Sequence, residues 1–237
     1  MKSVFEDLLH HLDKTPEAKR IEKLELLRKL DKTSRVKPSI AFYSEKNKCM
    51  QYCESKLEVD ALYKLEFDGL VKRYLTQPCS FKVKVAGRFR RYTPDVLVET
   101  TDGSFFFIEV KPFAETLKPS WIEKEVALDD FFNELGTSLA VLTNHEIRFK
   151  KLIPNLELLY RYIDIAMDKN ANQKILADIG QSCTLAALIT ACAAENKDAA
   201  YAWAMLAHQL FTFSNDTLLN KQSQLTTKNH QTINQGA

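Results

Sequence analysis

The stretch RYTPDVLVETTDGSFFFIEVKP, residues 91–112, constrains the fold of this chain more than any other. Val96 to Glu99 and Phe105 to Lys111 read as two strands of a hairpin, joined by Thr101-Asp102-Gly103 with glycine where the turn wants positive φ. These apolar strands nevertheless carry Asp95 near the start of one, and Glu109 and Lys111 at the end of the other. A carboxylate in an apolar strand is costly unless something pairs with it. Side chains alternate, so Glu109 and Lys111 share a face with Phe107, while Ile108 and Val110 take the other. With Pro94-Asp95 opening the antiparallel partner, Asp95 arrives beside Glu109.

Two carboxylates a few ångströms apart repel, and one pKa rises unless a cation lies between them. Mg²⁺ suits such a place, because it takes one or two carboxylates and completes its shell with waters and phosphate oxygens. Lys111 would orient or help deprotonate an attacking water and offset phosphate charge. Metal, positioned water and phosphate make up the requirements of phosphodiester hydrolysis. A structural ion-pair cluster is the ordinary reading of an Asp and a Glu-x-Lys in two strands. Three features favour a site: proline fixes where the strand of Asp95 begins, a long apolar strand leads straight into Glu-Val-Lys, and Glu54 and Glu58 stand four apart on an expected upstream helix.

Around the hairpin, the pattern predicts a helical stretch over 3–30, an extended connector over 31–48, and a helix over 52–66 stopped by Asp68-Gly69. Alternation predicts strands at 81–85, 88–92 and 138–142, with a helix over 118–135. Another helix carries Leu156, Leu159, Tyr160 and Ile163. Helix, antiparallel strands, helix and strand amount to an α/β core. Alanine-rich segments at 185–194 and 199–209, then Leu210-Phe-Thr-Phe, suit a small, mostly helical, winged-helix-like module. The tail from Lys221 is polar enough to be read as disordered. The domain reading is 1–48 a helical extension, 49–163 the core domain, 164–220 the small module, and 221–237 the tail.

Among 237 residues, 45% are hydrophobic and 27% charged, the make-up of a soluble globular protein. No apolar run has the length of a membrane span, and the N-terminus is too acidic for a secretion signal, so a cytosolic protein is expected. Five scattered cysteines suit reduced thiols; Cys49 and Cys53, four apart, would share a helix face. From residue 164 onward the chain has five Lys, no Arg and six acids. Basic residues cluster upstream at Lys72, Arg73, Lys82, Lys84, Arg88, Arg90 and Arg91. Charge alone leaves two readings of them open, a solvated strand face and a phosphate-contacting surface.

Pro94-Asp95 with Glu109-Val110-Lys111 is similar to the PD-(D/E)xK nuclease signature. A longer string resembles the TnsA endonuclease family: Glu54-Ser-Lys-Leu-Glu58, Leu65-Glu-Phe-Asp68, Gln77-Pro78, Tyr92-Thr-Pro-Asp95, Ile108-Glu-Val-Lys-Pro112, Leu142-Thr-Asn-His-Glu-Ile-Arg148 and Asn155-Leu-Glu-Leu-Leu-Tyr-Arg161. The resemblance implies a PD-(D/E)xK core, a mixed sheet flanked by helices. It implies Asp95 and Glu109 as metal ligands, Lys111 as the catalytic lysine and Glu58 as the acid completing the site, with Glu54 and Glu66 as competitors for that place. Val110 would add its carbonyl to the metal. Gln77 matches a recurrent family position without a chemical role beyond a sheet-edge or DNA contact. Lys82, Lys84, Arg88, Arg90 and Arg91 gain weight as DNA contacts.

The implied activity is Mg²⁺-dependent cleavage, with Mn²⁺ able to substitute, at the 5′ ends of a transposon during excision. The implied partners are duplex DNA at the transposon ends, a TnsB-like recombinase subunit and a TnsC-like ATPase regulator, in the bacterial cytoplasm. The arginine-free C-terminal part would then be a docking surface for those subunits. Two alternatives are a stand-alone restriction or repair nuclease and a non-catalytic nuclease-like scaffold.

Overall fold

The computed structural model describes residues 39–228. The helix expected over 3–30 lies outside these residues. Packing divides the chain into two compact units, one ending at Ile147 and the other beginning at Arg148.

In the first unit, β1 (Ile40–Ser44) and β2 (Cys49–Cys53) pair antiparallel. This hairpin takes the place of the end of the expected connector and the start of the expected helix. Phe42, Ser44, Gln51 and Cys53 are buried on one face, and Lys48 turns the chain with a φ of 53°. Cys49 and Cys53 therefore lie on a strand, one exposed and one buried. Helix α1 (Lys56–Phe67) starts where Ser55 leaves the extended conformation and accepts the amide of Glu58. Its buried side holds Leu57, Val59, Ala61, Leu62 and Leu65. Glu54 precedes this helix, so Glu54 and Glu58 do not share a helix face.

Strand β3 (Val71–Thr76) follows, where the sequence reading placed only basic residues. Next come β4 (Phe81–Val85), β5 (Arg88–Tyr92), β6 (Val96–Thr100) and β7 (Phe105–Lys111). Short α2 (Phe113–Thr116), long α3 (Pro119–Glu134), β8 (Leu139–Thr143) and short α4 (Asn144–Ile147) complete the unit. The main sheet has the order β3-β6-β7-β8, antiparallel except for the parallel pair β7–β8. Helix α3 forms the bulk of the crossover that parallel pairing demands. The result is a mixed α/β architecture.

Strands β4 and β5 form a separate two-stranded sheet, because β3 already occupies the edge of β6 that a continuous meander would use. Ala86 and Gly87 join them with φ of 51° and 74°, the paired positive values of a tight hairpin turn. Phe81, Val83, Val85 and Tyr92 from this hairpin meet Leu97, Phe107, Trp121, Leu128 and Phe132 in one core. The Phe107 and Phe132 rings lie 4.9 Å apart, fixing α3 over β7. Burying Phe132 completely is worth roughly 2–3 kcal/mol.

The second unit holds α5 (Leu152–Tyr160), α6 (Lys169–Ile179), β9 (Ser182–Thr184), α7 (Leu185–Ala194), α8 (Ala199–Ala207), β10 (Phe211–Phe213) and β11 (Gln224–Thr227). Asp168, Thr184 and Asp198 cap three of its helices with side-chain oxygens. The small sheet runs β10-β11-β9, all antiparallel. Strand β11 corrects the expected disordered tail at least as far as Thr227. Polar composition hid it, because one fully buried residue, Leu225, anchors the strand at the centre of its sheet.

Candidate active site

Strand β6 meets β7 in a register that ends at Val96 opposite Ile108. One step further along, that register sets Asp95 against Glu109. The backbone of Asp95 is held on both sides: its amide donates to Ile108 O at 3.0 Å, and its carbonyl accepts the Gln77 amide at 2.8 Å. Gln77 makes this contact from a left-handed φ of 45°, a conformation that costs a non-glycine residue free energy. The family position flagged at Gln77 thus has a backbone role here. Beyond the end of the ladder, the Val110 amide donates to Asp95 Oδ2 at 2.6 Å. A side chain takes over where the partner strand stops.

Glu109 is 7% exposed and holds two partners. Tyr92 donates its hydroxyl to Oε2 at 2.7 Å, and Lys111 Nζ lies 3.3 Å from Oε1. Alternation along β7 places Phe107, Glu109 and Lys111 on the side of α3, as the sequence predicts. Lys111 Nζ also sits 4.2 Å from the centre of the Trp121 ring.

Burial, then the Glu109 charge and, more weakly, that of Glu58, push the Asp95 carboxyl up to about 8, against the pull of the Val110 amide and Lys111. The expected carboxylate repulsion is therefore present. The Tyr92 hydroxyl is also pushed up, by burial and then by Glu109. Burial, reinforced by Glu58 and Asp95, raises the nearby Cys53 thiol.

Glu58 reaches the neighbourhood of Asp95 but already has two partners. Ser55 Oγ donates to its Oε1 and the Glu54 amide to its Oε2, both at 2.8 Å, in a reciprocal cap of α1. The competing acids part company from it. Glu54 is exposed ahead of the helix. Glu66 is buried, bonded by Ser44 Oγ and Tyr74 Oη at 2.5 Å each and by the Lys46 amide at 3.2 Å. That network is structural.

Among the described residues, no three His, Cys, Asp or Glu side chains come together as a ready metal-holding group. The oxygen donors available are those of Asp95 and Glu109, with Glu58 at the margin. A pair of carboxylates fits an ion that keeps most of its own water, as Mg²⁺ does, and does not fit a closed protein cage.

The basic residues divide into three groups. Lys72 and Arg73 are engaged with buried Glu99, Lys72 Nζ at 2.8 Å, so they serve the sheet rather than a ligand. Lys82, Lys84 and Arg91 lie on one face of the β4–β5 hairpin together with exposed Phe89. Arg88 and Arg90 oppose Val85 and Val83 and so lie on the other face. All five are exposed, but they do not form one surface.

Two side chains at this site were not singled out in the sequence. Tyr92 stands in the quoted string without a role. Lys124 lies 4.6 Å from the Tyr92 ring centre and 5.1 Å from that of Trp121. Its signal was present, since Trp121, Lys124, Leu128 and Phe132 recur at 3, 4 and 4 residues, a lysine inside the core-facing stripe of α3.

A mixed sheet ending on facing carboxylates and a lysine is the kind of frame on which nucleases carry their chemistry. Residues 68–144 match the family described as TnsA-like endonuclease N terminal. This part of the chain is similar to that family of nuclease domains. The match spans β3 to β8 and contains Asp95, Glu109 and Lys111, but not Glu58. No curated protein matches the chain. No helix among the described residues is long and apolar enough to cross a membrane.

Proposed function

We propose that this protein is the DNA-cleaving subunit of a heteromeric cut-and-paste transposase, hydrolysing phosphodiester bonds at the 5′ ends of the transposon with Mg²⁺. The family match over the segment that brings Asp95, Glu109 and Lys111 together carries this reading. In it, the first unit is a PD-(D/E)xK core. Asp95 and Glu109 hold the ion, with the Val110 carbonyl and Glu58 as further candidates. The bound ion supplies Lewis acidity and a water of lowered pKa.

The chain's own groups then have distinct tasks. The Val110 amide and Tyr92 hydroxyl orient Asp95 and Glu109 respectively. Lys111, already 3.3 Å from Glu109, orients the attacking water and offsets phosphate charge. Lys82, Lys84, Arg88, Arg90 and Arg91 contact flanking phosphates from the hairpin that leads into Asp95. The second unit, with helices around a three-stranded sheet, is read as winged-helix-like. Its part from residue 164 onward has no arginine and suits docking to recombinase and ATPase subunits better than reading DNA.

The experiment that tests this reading is strand-resolved cleavage mapping in complexes assembled with the partner subunits. Cuts at the 5′ ends that need this subunit are expected, with little cleavage by the chain alone. Efficient cleavage without partners would favour the stand-alone nuclease instead.

A further inference from the structure

The geometry points to Lys124 as a second phosphate-contacting lysine of the nuclease site, held beside Lys111 by the Trp121 indole. This rests on the endonuclease reading above and adds a substrate contact to it.

Lys124 occupies the stripe of α3 that packs on the sheet, between Trp121 and Leu128, where a solvated lysine is out of place. It is only partly exposed. A lysine in such a position ordinarily finds a carboxylate, yet Lys124 makes no ion pair among the described residues. Its Nζ rests instead on two aromatic faces, Tyr92 and Trp121. Cation–π contact compensates part of the lost hydration and leaves the N–H donors available.

The aromatic faces also fix where those donors are. Tyr92 is the residue whose hydroxyl holds Glu109, and Trp121 is the residue over which Lys111 lies. Asp95, Glu109 and Lys111 are all close enough to act electrostatically on Lys124. Lys111 has Glu109 as its counter-charge, whereas Lys124 has none within pairing distance among the described residues. An unpaired cation beside the carboxylates that would hold the ion is a docking point for a phosphodiester oxygen. Trp121 Nε1 is buried and has no acceptor among the described residues, while its ring lies against both lysines. Trp121 is thus a platform shared by two lysines. Lys111 serves the reacting water, and Lys124 takes the scissile or adjacent phosphate.

The test is binding of the full chain, alone and with partner subunits, to a short synthetic duplex across a salt series, in EDTA and again in Ca²⁺. Lys124→Met keeps the aliphatic stem over the rings, and Lys124→Arg keeps the charge. Loss of one phosphate contact makes log K against log salt shallower by about one unit and weakens binding by about tenfold at low salt. Lys124→Met should show both changes, with thermal melting within a few degrees of wild type, and Lys124→Arg should restore both. Wild-type affinity and slope in Lys124→Met would overturn the inference while leaving the endonuclease reading intact. A purely structural role predicts lowered melting without a change of slope, and that result would also overturn it. Absence of duplex binding by the wild type, alone and assembled, would remove the endonuclease reading itself.

Discussion

Tyr92 donates its hydroxyl to Glu109 Oε2 across 2.7 Å, tying the last residue of the basic hairpin to the acid of Glu-Val-Lys. Among the described residues Glu109 is otherwise paired with Lys111, so Tyr92 helps fix its rotamer. Tyr92→Phe keeps the ring in the core and removes the bond. It should lower stability by about 1–2 kcal/mol, because a buried carboxylate oxygen loses its donor. Cleavage in the assembled complex should fall about tenfold, in line with the loss of one positioning group. Chemical denaturation and initial cleavage rates check the two effects separately.

The raised carboxyl of Asp95 makes a pH-dependent stability prediction for the metal-free protein. An ordinary Asp ionises near 3.8, whereas Asp95 holds its proton to about 8. Between these values the folded state binds a proton that the unfolded state has released. Stability therefore falls as pH rises from about 4 to about 8, and the full cost is felt above that. Asp95→Asn keeps an acceptor for the Val110 amide and removes the titration. Its stability relative to wild type should grow across that window by roughly 1–3 kcal/mol, given 1.4 kcal/mol per pKa unit and relaxation of the site. Denaturant melts of both proteins at pH 5 and 9 check it, and Mg²⁺ should raise the wild type most at the higher pH.

Glu58 caps α1, and substitution can separate that task from the proposed metal contact. Glu58→Gln can accept the Glu54 amide with its side-chain oxygen and donate its NH2 to Ser55 Oγ, so stability should change by less than about 0.5 kcal/mol. Glu58→Ala removes the cap and should cost about 1 kcal/mol. If Glu58 completes the metal site, both variants lose cleavage alike. Full activity in Glu58→Gln would confine this residue to the cap.

Arg73 belongs to the basic cluster for which the sequence left a solvated face and a phosphate-contacting surface open, and its guanidinium serves buried Glu99. Arg73→Ala should destabilise the fold by about 1–3 kcal/mol, since Lys72 remains as a partner for the carboxylate. Duplex affinity and its salt dependence should stay at the wild-type values.

What could be read from the sequence follows the strength of local pattern. Phe105–Lys111 and its partner were legible, because two short apolar runs on either side of Thr101-Asp102-Gly103 mark strand, turn and strand together. Antiparallel pairing across that turn brings Asp95 to the end of the sheet that holds Glu109 and Lys111. Helix α3 was legible to within a residue at each end. Strand β3 was not, because its charges at Lys72 and Arg73 are balanced by Glu99, a pairing that no local pattern reveals. The β1–β2 hairpin was hidden by its polar turn and by Ser44 and Gln51, buried polar residues whose partners Glu66 and Thr76 lie more than 20 positions away. Lys124 was visible as a breach in an apolar stripe, but its meaning needed Tyr92 and Trp121 in space. Glu58 shows the converse: its Ser-x-x-Glu spacing serves a helix cap as well as it would serve a metal.

The proposed place of Asp95 in a DNA-cleaving centre is tested most directly by 5′-end cleavage in the reconstituted complex with Mg²⁺, comparing wild type with Asp95→Ala. Asp95→Ala should lose 5′-strand cuts by at least about a thousandfold, the scale on which removing a catalytic group acts, with assembly on the DNA retained. Undiminished 5′-strand cleavage by Asp95→Ala would contradict it.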